Sequence, residues 1–192
     1  LKGMYNEVDL DTIDVSRKAP AQEPERQYYF MAKCRRYVKA ESERAGHPLS
    51  AAVITFGCQM NARDSEKLSG ILEAIGFKLI DSEEADFVIY NTCTVRDNAN
   101  QRVYGRLGHI NSLKKQNPHM KVALCGCMMQ EQSVIEKIQK SYRFVDLIFG
   151  THNIFKFAEL LEGMYEAKGM IVDIWEDTNQ IVEELPTQRK YP

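Results

Sequence analysis

From Pro48 onward, short apolar runs alternate with longer amphipathic stretches, the pattern of βα units built around a parallel sheet. The runs at 52–56, 77–80, 87–91, 121–124 and 145–148 are brief and rich in branched or aromatic residues, which predicts strands buried on both faces. Between them, 65–75, 95–115, 130–140 and 154–167 carry helical periodicity, with Gly76, Asn117-Pro118 and Gly169 as terminators. Residues 172–175 predict a last, edge strand. The expected class is α/β, a parallel sheet flanked by helices.

Ahead of this unit, Tyr28, Met31, Cys34, Tyr37 and Val38 recur at near-helical spacing and Gly46-His47-Pro48 supplies a stop, predicting an amphipathic helix within an extension spanning 26–48. Residues 1–25 are acidic, contain Pro20 and Pro24 and have little periodic apolar content, so they are expected to form an N-terminal arm, either disordered or docked on the domain. The α/β domain is expected over 49–175. From Glu176 to Pro192 the chain is polar, with Pro186 and the Arg189-Lys190 pair, and is expected to be a linker.

Composition narrows the class only modestly. With 44% apolar and 27% charged residues the balance is that of a folded protein, and no apolar run approaches the roughly 20 residues of a membrane span. The acidic start has neither a basic segment nor an apolar stretch of a targeting signal, so a cytoplasmic location is expected. A formal net charge of −2 supplies no global attraction for nucleic acid, and such a partner must be held by a local patch or another domain.

The five cysteines carry more information. They are too few and too scattered for a disulfide framework, which leaves free thiols, metal ligands or catalytic thiols. Four of them fall in three segments, Phe56-Gly57-Cys58-Gln59-Met60-Asn61, Asn91-Thr92-Cys93-Thr94-Val95-Arg96 and Leu124-Cys125-Gly126-Cys127-Met128-Met129-Gln130. Each segment follows a predicted strand, and in an open α/β sheet the crevice beyond the carboxyl ends of the strands is where ligands bind. Helix N-termini and loop amides there favour thiolate and an anionic sulfur-ligated centre.

The plain alternative is that these are buried cysteines packing as small hydrophobes. Their Gly, Asn and Gln neighbours favour a shared site instead. A structural zinc site would show two close ligand pairs, which are absent. Three thiolates would leave one iron of a 4Fe-4S cluster without a protein ligand and open to a small molecule or sulfur, whereas electron-transfer clusters normally have four cysteines. Cys125 competes with Cys127, since residues two apart on a strand face the same way, and is read as a packed strand residue. Cys34 is read as core or interface.

These segments, together with Asp64-Ser65-Glu66, Ala99 and Gly105-Arg106-Leu107-Gly108, resemble the N-terminal domain of the radical methylthiotransferases. The Gln59-Met60-Asn61 triplet after Cys58 is similar to the tRNA-modifying MiaB type. The resemblance spans about residues 51–190. It implies a flavodoxin-like domain in which Cys58, Cys93 and Cys127 bind an auxiliary 4Fe-4S cluster. In that family the cluster holds and transfers a methylthio group to carbon 2 of an isopentenyl-adenosine next to the tRNA anticodon.

The resemblance further implies S-adenosyl-L-methionine and a second 4Fe-4S cluster in a radical barrel domain, an RNA-binding domain, a sulfur donor and tRNA as partners. The C-x₃-C-x₂-C triplet of that barrel is absent from these 192 residues. The chain alone is therefore not expected to perform the complete reaction, and 176–192 would lead toward the barrel.

Gln59, Asn61, Asn91, Thr92 and Gln130 border the expected crevice and are candidates for the cluster environment, although Asn and Thr there also cap helices and turns. Arg96, Arg102 and Arg106 can share one side of a helix and are candidates for tRNA contact, against the reading of a solvated face. Two other functions compete: a flavodoxin-like nucleotide or flavin binding module and a zinc-stabilised interaction domain. The first strand-to-helix turn, Thr55-Phe56-Gly57-Cys58-Gln59-Met60-Asn61, is not a glycine- or Ser/Thr-rich phosphate cradle, which weighs against the nucleotide module.

Overall fold

The computed structural model describes residues 8–57, 59–93, 97–175, 178–182 and 188–190. Helix α1 (Glu25–Ala45) leads into β1 (Ser50–Phe56), α2 (Gln59–Ile75), β2 (Lys78–Leu79), β3 (Phe87–Thr92), α3 (Asp97–Gln116), β4 (Lys121–Gly126) and α4 (Gln132–Ser141). Then come β5 (Leu147–Phe149), α5 (Phe157–Glu166), β6 (Ile171–Trp175), β7 (Thr178–Val182) and β8 (Gln188–Lys190). Short 3-10 turns sit at Leu10–Thr12, Cys127–Gln130 and Thr151–Lys156.

The strands form one sheet in the order β2-β1-β3-β4-β5-β6-β7-β8. The pairs from β2 through β6 are parallel, and β7 and β8 add antiparallel. The first five positions follow the flavodoxin-like order, and the sequence-based expectation of that fold holds. Strand alternation builds a core on each face. Phe87, Ile89, Ala123, Cys125 and Leu147 pack with Met31, Leu68, Leu72 and Leu161 of α1, α2 and α5. Val88, Tyr90, Val122, Leu124 and Ile148 point the other way, to Val103, Leu107, Val134 and Ile138 of α3 and α4.

Helix α1 is an integral layer of the first core, burying Tyr29, Phe30, Met31, Ala32, Cys34 and Val38. Each large apolar side chain so placed contributes about 1.5–3 kcal/mol relative to exposure. Lys33 Nζ meets Glu162 Oε1 of α5 at 2.6 Å, and Arg35 donates to the Ala74 carbonyl of α2 at 2.9 Å. The described part of the arm is docked as well. Leu10 is buried, Val8, Ile13 and Val15 pack on the core, and the Tyr29 hydroxyl lies 3.1 and 2.9 Å from the carbonyl oxygens of Val15 and Arg17.

Two sequence-based expectations differ from the fold. Residues 172–175 were expected at the sheet edge, but β6 carries β7 on its far side, and β8 follows. The stretch expected as a linker thus contributes two strands, because antiparallel addition needs only backbone partners and one face free to meet water.

Candidate functional site at the strand ends

Register sets the site. Phe56 of β1 pairs with Thr92 of β3, and Thr92 pairs with Gly126 of β4, so the three strands end in step. Gly57, Cys93 and Cys127 are the next residues along each strand. The Cys93 N–H donates to the Phe56 carbonyl at 2.9 Å, which fixes Cys93 beside the end of β1. Cys93 is buried and Cys127 half-buried, and both are free thiols. Cys58, between Gly57 and the first residue of α2, lies outside the described residues, as does Arg96.

Two glycines permit this convergence. At Gly57 (φ +148°) an added Cβ would lie 2.4 Å from the Cys93 Cβ. At Gly126 (φ +106°) it would lie 2.0 Å from the Thr92 carbonyl oxygen and 2.9 Å from Asn91 Oδ1. Both backbone angles and both contacts exclude a side chain. The strand ends close on one another only because these positions have none.

Beneath the thiols runs a buried polar network. Asn61 Nδ2 donates to the Thr92 carbonyl at 3.1 Å and to Asn91 Oδ1 at 3.3 Å. Asn91 Nδ2 donates to the Asn61 carbonyl at 2.9 Å and to Ser65 Oγ at 3.0 Å, and Ser65 Oγ lies 2.7 Å from Thr55 Oγ1. The Thr92 hydroxyl donates to the Cys125 carbonyl at 2.9 Å. Asn61, Asn91 and Thr92 therefore latch the first turn of α2 to β1, β3 and β4. Gln59 is exposed and Gln130 half-buried.

The remaining cysteines sit elsewhere. Cys125 is fully buried in β4, and burial pushes its thiol well above the usual range. Cys34 is fully buried against α5, donates to the Ala158 carbonyl at 3.4 Å and is raised by burial in the same way. Neither has the access that a reacting thiol needs.

Arg102 and Arg106 are exposed on α3. Arg106 pairs with the Glu83 carboxylate, which also accepts from the Tyr90 hydroxyl. An open cleft of about 640 Å³ lies toward the opposite end of the strands from Cys93 and Cys127, lined by Arg35, Lys39, His47 and Gly76 among others.

Sequence reasoning missed the loop after β5. There the Thr151 hydroxyl donates to Cys127 Sγ at 3.9 Å, and Asn153 Nδ2 donates to Asp173 Oδ1 at 2.8 Å. Burial raises Asp173 to about 6, an effect that nearby Lys156 opposes. The available signal was Phe149-Gly150-Thr151, a further strand end opening on the same crevice.

A doubly wound α/β domain with thiols gathered at adjacent strand ends is the class that fold and site define. A family model described as "Uncharacterized protein family UPF0004" matches residues 50–150, and the chain belongs to that family. It is 65% identical over 161 residues to a protein of Lachnoclostridium phytofermentans, covering 84% of this chain and 35% of that one. It is 51% identical over 138 residues to one of Clostridioides difficile, covering 71% and 29%. A third match, from Acetivibrio thermocellus, is 45% identical over 170 residues, covering 88% and 35%. Each is called a tRNA-2-methylthio-N(6)-dimethylallyladenosine synthase. The chain spans about a third of the length of these curated relatives.

No helix among the described residues is long and apolar enough to cross a membrane. Among those residues, no three His, Cys, Asp or Glu side chains form a group that could hold a metal ion.

Proposed function

We propose that this chain is the N-terminal, cluster-bearing part of a MiaB-type tRNA methylthiotransferase acting in the cytoplasm, with Cys58, Cys93 and Cys127 holding one auxiliary 4Fe-4S cluster. The observation that carries the reading is the common register of β1, β3 and β4, with Gly57, Cys93 and Cys127 one residue past the paired ends. The donor set fits such a centre: thiols are soft ligands, and glycines beside them keep the approach clear. When bound, the cluster supplies an iron without a protein ligand, where sulfur is held for transfer to carbon 2 of isopentenyl-adenosine beside the tRNA anticodon.

The protein's own residues hold and orient. Asn61, Asn91 and Thr92 keep the three strand ends and the start of α2 in fixed relation, which holds Cys93 and Cys127 at neighbouring strand ends. Radical generation from S-adenosyl-L-methionine, with its own 4Fe-4S cluster, and capture of tRNA then belong to further barrel and RNA-binding domains of the whole protein. An external sulfur donor completes the set of partners.

The test is made in the full-length protein, by mass spectrometry of nucleosides from tRNA of cells whose own enzyme is deleted. Wild type restores the methylthio group, and Cys93→Ala leaves isopentenyl-adenosine unmodified at carbon 2. Restoration of the methylthio group by Cys93→Ala would refute the assignment.

A further inference from the structure

Strand β5 is the next parallel strand whose carboxyl end opens on the crevice, and it is followed by Gly150-Thr151 rather than by a cysteine. Cys125 pairs with Phe149, so Cys127 and Thr151 each stand two residues beyond a matched pair. The Thr151 hydroxyl meets Cys127 Sγ at 3.9 Å.

The turn that carries this hydroxyl is anchored on β6. The Gly150 N–H donates to the Asp173 carbonyl at 3.1 Å, and the Asn153 N–H returns to the Gly150 carbonyl at 3.1 Å. Asn153 Nδ2 donates to both Asp173 Oδ1 and the Asp173 carbonyl, at 2.8 and 3.3 Å. Asn153 is fully buried, and its Oδ1 has no hydrogen-bond partner among the described residues. A buried amide oxygen left unpaired is costly, and the fold bears that cost where the amide group ties the turn to β6.

We infer that Thr151 is a positioning residue for the Cys127 sulfur: its hydroxyl donates to that sulfur when the thiolate ligates the cluster, and the Asn153–Asp173 clamp holds it there. This rests on the cluster reading above. A hydroxyl donor draws negative charge from a ligating sulfur, and that favours the reduced, more negative cluster and slows its loss. It also ties the Cys127 ligand to β6, the strand from which the chain runs on toward its C-terminus.

The test compares wild type, Thr151→Val, which removes the donor at nearly constant volume, and Thr151→Ser, which keeps it. All three chains are reconstituted anaerobically and their iron and acid-labile sulfide counted. The reduced-to-oxidised ratio is then read by electron paramagnetic resonance at one fixed potential, and cluster loss is timed against a chelator. Thr151→Val should lower the ratio by about threefold to tenfold, for a charge-assisted hydrogen bond that is stronger in the reduced state. It should also speed cluster loss by about tenfold, as loss of an outer partner does elsewhere. Thr151→Ser should stay near wild type in both.

A Thr151→Val cluster with wild-type ratio and lifetime overturns the inference and leaves the cluster reading standing. If Thr151→Val cannot hold the cluster, retention by Thr151→Ser supports the inference and loss from both variants overturns it. A wild-type chain that takes up no iron overturns both.

Discussion

Replacing Gly126 by alanine perturbs the point where the β3 and β4 ends meet. The new Cβ would lie 2.0 Å from the Thr92 carbonyl oxygen, 2.7 Å from the Thr92 nitrogen and 2.9 Å from Asn91 Oδ1. Non-bonded heavy atoms settle near about 3.5 Å, so the two strand ends must part by more than about 1 Å. That displacement breaks the Thr92–Gly126 register and strains the Asn61–Asn91–Thr92 network built on it.

The backbone strain of a side chain at this positive φ costs about 1–3 kcal/mol. Accommodating the overlap costs about 1–3 kcal/mol more. A loss of about 4 kcal/mol in a chain of this length corresponds to a fall in Tm on the order of 10 °C. The assay is urea and thermal unfolding followed by circular dichroism, with Gly105→Ala as the control. Gly105 sits in α3 with nothing within 4 Å of an added Cβ, and there alanine should stabilise by about 0.5–1 kcal/mol. A Gly126→Ala loss below about 1 kcal/mol, or a gain like that of the control, would refute the close-approach argument.

Asn61→Ala, which strips the donors from the Thr92 carbonyl and Asn91 Oδ1, should destabilise the chain by about 2 kcal/mol in urea titrations. A change of a few tenths would mean that water replaces the amide. Asp173 offers a pH signature. Its folded value, raised by burial to about 6, lies above the ordinary 3.8, so the folded state binds the extra proton. Its favourable contribution is complete below about pH 4 and is lost as pH rises through about 6. Asp173→Asn should therefore be more stable than wild type at pH 7.5, by up to about 3 kcal/mol, with the gap closing toward pH 4. A gap that is constant across that range would count against the buried carboxyl.

Much of the fold was legible because the central strands are buried on both faces and therefore read as short apolar runs between amphipathic helices. The legible part fades where polar residues dominate. Helix α2 begins at Gln59, ahead of the expected position 65, because its first turn, Gln59-Met60-Asn61-Ala62, carries the Asn61 latch and no hydrophobic stripe that periodicity would register. The helices expected from 130 and 154 begin later, behind the 3-10 turns at Cys127–Gln130 and Thr151–Lys156, which periodicity cannot tell from helix.

The arm docks through a few apolar side chains without a repeat, Leu10 among them, and periodicity does not register isolated anchors. Strands β7 and β8 join through backbone pairing, and the one apolar pair within them, Ile181-Val182, is too short to read as a strand. At the candidate site the cysteines and glycines were readable from their positions after predicted strands. The roles of Asn61 and Asn91 as a latch, and of Thr151 beside Cys127, depend on contacts between segments 30 and 24 residues apart, which no local pattern encodes.

The central claim is that three thiols from three strand ends hold one cluster, and counting metal tests it most directly. The chain is reconstituted with iron and sulfide under anaerobic conditions, and iron, zinc and acid-labile sulfide are measured per chain in wild type and in the five single Cys→Ala variants. A cluster with three protein ligands predicts about four irons and four sulfides in wild type, Cys34→Ala and Cys125→Ala, and their loss in Cys58→Ala, Cys93→Ala and Cys127→Ala. No iron uptake by the folded wild-type chain, or stoichiometric zinc in its place, would contradict the account.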